Sequence, residues 1–228
     1  MGDAIKEKYT LGIIGGTGQE GKGLAYRWTL AGHHVIIGSR NQEKALAAVA
    51  EIAPLLGKDA GLLEGMENSA AVAACDIAVV TVPYMAHRAT LEGLKEVLSG
   101  KIVIDVAVPI MPPKVTKVQM PPAGSVAQEA QEILGDTCSV VDAFQNISHE
   151  RLMEGGDVDC DVLVCGKGKA ARQVVLGLVA DTGLRGWDAG QIENAVVVEG
   201  MTSVLIGLNI QHKVKASGIR ITGIADLD

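Results

Sequence analysis

The chain reads as an α/β protein: a doubly wound, mostly parallel sheet with a small helical part at its C-terminal end. Three observations carry that reading. Short apolar runs alternate with helical stretches along residues 9–142, the pattern of strands joined by crossover helices. The strand runs are apolar nearly from end to end, as expected when helices cover both faces of a sheet. The first run, Leu11-Gly12-Ile13-Ile14, passes directly into Gly15-Gly16-Thr17-Gly18-Gln19-Glu20-Gly21, a glycine turn that opens a helix.

Strands are expected at 10–14, 34–38, 61–64, 76–81, 101–106 and 139–142, and helices at 18–31, 42–56, 68–74, 88–98 and 125–134. Prolines at 109, 112 and 113, then at 121 and 122, mark an irregular loop after the fifth strand. After Asp142 the pattern changes. A further strand is expected at 161–166, a helix at 169–181 and a short strand around 185–188. The last helix runs from Ile192 to about Lys213, carries Gly200 and Gly207, and holds little charge. A helix apolar nearly all round must be buried, here against the first domain or a second subunit. The expected division is a dinucleotide-binding domain at 9–148 and a C-terminal part at 149–228. The second part would complete the second-substrate pocket and a homodimer interface.

The glycine turn has the spacing Gly16-x-Gly18-x-x-Gly21, a dinucleotide fingerprint in the right context of strand before and helix after. Gly16 permits the tight turn, Gly18 leaves the backbone open to a pyrophosphate, and Gly21 lets the helix pack close to the strand. The free N–H groups of that helix face the phosphates. The fold is therefore Rossmann-type. The second strand ends in Ser39-Arg40 where an NAD site usually carries a carboxylate. Arg40 offers a planar fork for a 2′-phosphate, Ser39 a hydroxyl donor, and Lys44 a further positive charge. NADP(H) is the expected cofactor.

Composition narrows the alternatives. The 228 residues are 48% apolar, 3% aromatic and carry a net charge of −7. So few aromatics and so acidic a chain argue against nucleic-acid binding. No apolar run reaches the ~18 residues of a membrane helix, and Met1 to Lys8 is charged and unlike a secretory signal. A cytoplasmic protein is expected, with no membrane partner. Cys75, Cys138, Cys160 and Cys165 show no CxxC spacing and read as small buried apolar residues. The five histidines form no ligand pattern, so no metal is expected.

Ligands of open α/β sheets sit at the carboxyl ends of the strands. Thr81-Val82-Pro83, Ala107-Val108-Pro109 and the segment 143–148 meet that edge. No activated nucleophile and no Tyr-x-x-x-Lys pair is present, and His149 is the only group near the edge expected to titrate close to neutrality. Hydride transfer between two bound cofactors needs proximity, ring stacking and dryness more than an acid or base, so no catalytic side chain is expected.

The segments Ile13–Gly18, Gly21–Ala25 and Gly38-Ser39-Arg40 resemble those of the NADPH-dependent reductases of the deazaflavin coenzyme F-420. So do Ala74–Val79, Pro83, Val164-Cys165-Gly166, Asp188-Ala189-Gly190 and Gly218–Gly223. The resemblance spans Tyr9 to Ile224. It implies a homodimer in which hydride passes between deazaflavin C5 and nicotinamide C4. It further implies that Thr17, Gly18, Gln19 and Glu20 hold the pyrophosphate, Ser39, Arg40 and Lys44 the 2′-phosphate, and Pro83 and Pro109 the nicotinamide. Some members carry His-Thr near the deazaflavin where this chain has Gln145-Asn146. That pair can donate hydrogen bonds to a ring carbonyl but does not titrate near neutrality. Two other readings stay open: an NADPH-dependent reductase of a small imine, ketone or metal, and a non-catalytic NADP sensor.

Overall fold

The computed structural model describes residues 8–154 and 158–224. Residues 1–7, on which the reading of the N-terminus rests, lie outside the described residues, as do 225–228. An eight-stranded sheet runs β3-β2-β1-β4-β5-β6-β7-β8. Its strands are β1 (Thr10–Ile14), β2 (His34–Ser39), β3 (Leu63–Glu67), β4 (Ile77–Val80), β5 (Ile102–Asp105), β6 (Ser139–Asp142), β7 (Asp161–Gly166) and β8 (Arg185–Gly190). The connecting helices are α1 (Gln19–Leu30), α2 (Gln42–Leu56), α3 (Asn68–Ala74), α4 (Tyr84–Leu98), α5 (Val126–Leu134), α6 (His149–Met153), α7 (Lys169–Asp181) and α8 (Ala195–His212).

The apolar strand runs split their side chains between two cores, as the period of two demands. Ile13, Val79, Ile104, Val141 and Val164 face one side, with Leu24, Trp28, Ile52 and Leu178. Ile14, Val80, Val103, Val140 and Cys165 face the other, with Leu91, Leu98, Ala130 and Val198. Trp28 is fully buried, and its indole N–H donates to Leu178 O at 2.9 Å. Phe144 meets it edge-on at 5.6 Å. Burying one such ring contributes about 1.5–3 kcal/mol. This ties α1 to α7 and to the loop after β6.

Strands β1 to β6 are parallel, so the strand order turns back between β1 and β4. That reversal opens a crevice at the strand ends. β7 then pairs with β6 antiparallel, Val141 opposite Gly166 and Asp142 opposite Cys165. A side chain at Gly166 would place its Cβ 2.6 Å from Val140 O, so only glycine allows this approach. Residues after 148 thus extend the same sheet. The segment near Ile219 lies beside the start of β7, where Asp161 N donates to Ile219 O at 2.8 Å.

Three elements differ from their expected positions. The strand expected at 61–64 forms at Leu63–Glu67, because Gly57–Leu62 winds into a 3-10 turn. The helix expected from Arg88 starts at Tyr84, since Pro83 sets the backbone ahead of its first turn. The helix expected from Ile192 starts at Ala195, after a 3-10 turn at Ile192–Asn194. α8 buries Val198, Ser203 and Leu205, while Val197 and Ile210 are 61% and 65% exposed.

Candidate functional site

The glycine turn is built by close backbone contacts. The left-handed step falls on Gly15, with φ 73°, one residue before the glycine expected to make the turn. Gly16 is needed for a different reason: a Cβ there would stand 3.0 Å from Ile13 O, whereas Gly16 N now donates to that oxygen at 3.1 Å and to Gly38 O at 2.9 Å. A Cβ on Gly21 would meet Gly16 Cα at 2.6 Å and Thr81 Oγ1 at 2.9 Å, so α1 lies against the ends of β1 and β4. Gly18 faces open space, with nothing nearer than Gly15 O at 4.0 Å. It precedes α1 without supplying a side-chain cap, which leaves N–H groups for an anion.

Beside this turn lies a cavity of about 360 Å³, lined by Thr17, Gly18, Ser39, Arg40, Asn41, Lys44, Asn68, Thr81, Val82 and Pro83 among others. Ser39 Oγ accepts from Asn41 N at 3.3 Å, so its O–H remains free to donate. Asn41 caps α2 by accepting from Glu43 N at 2.8 Å, which fixes the turn that presents Arg40 and Lys44. Among the described residues neither Arg40 nor Lys44 has an ion-pair partner. Asn68, unmarked in the sequence reading, accepts from Gly15 N at 3.2 Å and locks α3 to the glycine turn.

Thr81, Val82 and Pro83 are shared with a second cavity of about 530 Å³. Its walls are Val106, Ala107, Val108, Ile110, Phe144 and Ile147, with Tyr84, Gln145, Thr202 and Glu20 as polar groups. The two cavities therefore adjoin along the strand ends. Pro109 is buried behind this wall and Val108 and Ile110 line it instead. His149 heads α6 and Asn146 packs against α8; neither lines the cavity. Glu20, expected to hold the pyrophosphate, lines this second cavity. Its Oε1 is buried without a hydrogen-bond partner, and burial pushes its carboxyl up to about 8.

The loop after β6 engages the side-chain amides of Gln145 and Asn146 within the protein. Gln145 Nε2 donates to Asp105 O at 2.7 Å and to Asp142 Oδ1. Asn146 Nδ2 donates to Val198 O at 2.9 Å and to Thr202 Oγ1 at 3.3 Å. Their N–H groups are engaged within the protein. What stays unpartnered is Gln145 Oε1 and Asn146 Oδ1, both buried. The preceding Phe144 is left-handed, with φ 76°, at a cost of about 1–3 kcal/mol that Trp28 packing and these hydrogen bonds offset. Below this floor, burial and then Glu199 and Asp105 hold the Asp142 carboxyl well above the usual range. His87 Nε2 meets Asp105 Oδ2 at 2.7 Å, and Asp105 Oδ1 accepts from Ala107 N at 3.0 Å, fixing the β5 wall.

A family model described as NADP oxidoreductase, coenzyme F420-dependent, matches residues 10–109. The F420-dependent NADP reductase of Methanocaldococcus jannaschii is 40% identical over 222 residues, covering 94% of this chain and 98% of that one. This chain belongs to the F420-dependent NADP reductases. The reductase of Methanothermobacter marburgensis is 38% identical, covering 95% and 99% of the two chains. A solved structure from Arthrobacter sp. FB24 superposes with a TM-score of 0.78 at 23% identity, covering 94% of this chain and all of that one, a likeness of fold. The stretch matched by the family model holds the glycine turn, Arg40, Lys44, Thr81, Pro83 and Ala107.

Asn146→Ala removes the donor to a buried carbonyl, so it is expected to lower unfolding free energy by about 1–3 kcal/mol, read from urea denaturation. Unchanged stability with weakened ligand binding would restore the role read from the sequence.

Proposed function

We propose that the protein transfers hydride between NADP(H) and the deazaflavin coenzyme F-420 along this one cleft. The observation that carries the reading is the shared wall of Thr81, Val82 and Pro83, which joins a cationic, glycine-floored space to an apolar, ring-sized one. When bound, the nicotinamide and the deazaflavin supply the redox chemistry. The chain's residues do the rest: Thr17, Gly18 and the start of α1 hold the pyrophosphate, and Ser39, Arg40 and Lys44 take the 2′-phosphate. Pro83, Ala107, Val108 and Phe144 confine two flat rings and exclude water. The residues fit these groups, since the glycine turn is open at Gly18 and Gln145 Oε1 lacks a partner.

Residues 158–224 complete the pocket through Thr202 and carry the exposed apolar residues of α8. Val196, Val197, Val204, Leu208 and Ile210 are all exposed on it, which supports a homodimer formed over this helix. Four buried free cysteines support a reducing, cytoplasmic setting, and the acidic charge supports small molecules over nucleic acid as partners.

Mixing NADPH with coenzyme F-420 is expected to bleach the visible absorption of the deazaflavin. Arg40→Ala is expected to weaken NADPH binding at least about tenfold while leaving NADH nearly unchanged, since a charge-assisted hydrogen bond contributes roughly 1.5–3 kcal/mol. Equal losses for both nucleotides would contradict the phosphate site. Light scattering at micromolar concentration is expected to show a dimer, and Val197→Glu with Ile210→Glu a monomer.

A further inference from the structure

Glu20 is a titratable group in the cleft that the reaction above leaves without a role. It stands in the first turn of α1, where a carboxylate would oppose the charge of a pyrophosphate. It nevertheless lines the apolar cavity with Pro83, Phe144 and Ile147, and its Oε1 is buried and unpartnered. The charged and titratable groups on every surrounding element are engaged elsewhere or lie off the cavity wall. On α1 itself, Lys22 pairs with Glu51 at 2.7 Å and Arg27 donates to Leu152 O at 2.7 Å. From α4, the Tyr84 hydroxyl bonds Glu129 at 3.3 Å and Arg88 pairs with the same carboxylate. Beneath the floor, His87 pairs with Asp105, and Asp142 accepts from Gln145. From α8, Glu199 accepts from Val126 N and Ala127 N at 2.8 and 3.0 Å. On α6, His149, Glu150 and Arg151 stand outside the cavity wall. Among the described residues no charged side chain compensates a negative charge on Glu20, so burial favours its neutral form.

Resting on the hydride-transfer reading, we propose that Glu20 enters the cavity as a neutral carboxylic acid and carries the proton that accompanies hydride transfer. A hydride takes two electrons and one hydrogen from NADPH to the deazaflavin, and the acceptor is then one proton short. The Glu20 O–H bond breaks, its electron pair stays on the carboxylate, and the proton passes to the nitrogen–carbonyl system of the acceptor ring. Water at the cavity mouth reprotonates the carboxylate. The reverse direction moves the same proton back. The carboxylate left behind shares a low-dielectric space with the nicotinamide cation that hydride donation creates, where their attraction is strongest.

The test uses Glu20→Gln, which keeps size and a donor but cannot titrate. In the ligand-free protein, the folded state holds the Glu20 proton up to about 8 against 4.5 for the free side chain. Wild-type Tm is therefore expected to fall relative to Glu20→Gln as pH rises through that window, and the difference to be constant above it. In single-turnover mixing with NADPH and F-420, Glu20→Gln is expected to slow transfer by about 10²–10⁴-fold with NADP⁺ affinity within about threefold. It is also expected to lose the inflection near pH 8 that Glu20→Asp retains. A pH-independent Tm difference overturns the proposal, as does transfer within about threefold of wild type on an unchanged pH profile. In either case wild-type bleaching of F-420 leaves the hydride reading standing. Wild-type protein that binds NADPH and never reduces F-420 takes down that reading and this proposal together.

Discussion

Both halves of the cleft depend on how closely α1 approaches the ends of β1 and β4. Gly16 and Gly21 are in backbone contact, and a single Cβ at Gly21 would collide with Gly16 Cα at 2.6 Å. That approach places the open N-terminal turn of α1 at Gly18 on one side and the carboxyl of Glu20 on the other. It also brings Thr81 under the helix, its hydroxyl donating to Ile14 O at 3.1 Å. Thr81 and its neighbours Val82 and Pro83 then form the wall common to both cavities.

The opposite wall is held by a buried polar layer. Asp105 accepts from Ala107 N and meets His87, while Gln145 bridges the Asp105 carbonyl and Asp142. These bonds hold the ends of β5 and β6 together, while Gln145 Oε1 and His87 Nδ1 stay unpartnered. The left-handed Phe144 turns the chain so that its ring seals the cavity against Trp28 while Gln145 reaches back under the sheet. The cavity wall that results is mostly apolar.

Much of this was legible in the sequence because it rests on local pattern. The glycine spacing, the apolar strands and Ser39-Arg40 each express a backbone or charge requirement within a few residues. The strands at 10–14 and 139–142 and the helices at 42–56 and 68–74 form where expected. What escaped depends on distant partners. Gln145 and Asn146 point to a ligand in sequence, yet their N–H groups bond Asp105 O and Val198 O, 40 and 52 residues away. The direction of Glu20 depends on the rotation of α1 against a wall built from β4, β5 and β6. The antiparallel entry of β7 leaves no mark on an apolar strand, because a strand buried on both faces reads the same in either direction.

The central claim is that hydride passes directly between two ligands in one dry cleft. NADPH carrying deuterium at both nicotinamide C4 positions, reacted with F-420 in ordinary water, tests it most directly. Direct transfer leaves deuterium on C5 of the reduced deazaflavin, read by mass spectrometry and proton NMR. Deuterium appearing in the solvent, with ordinary hydrogen at C5, would contradict the account.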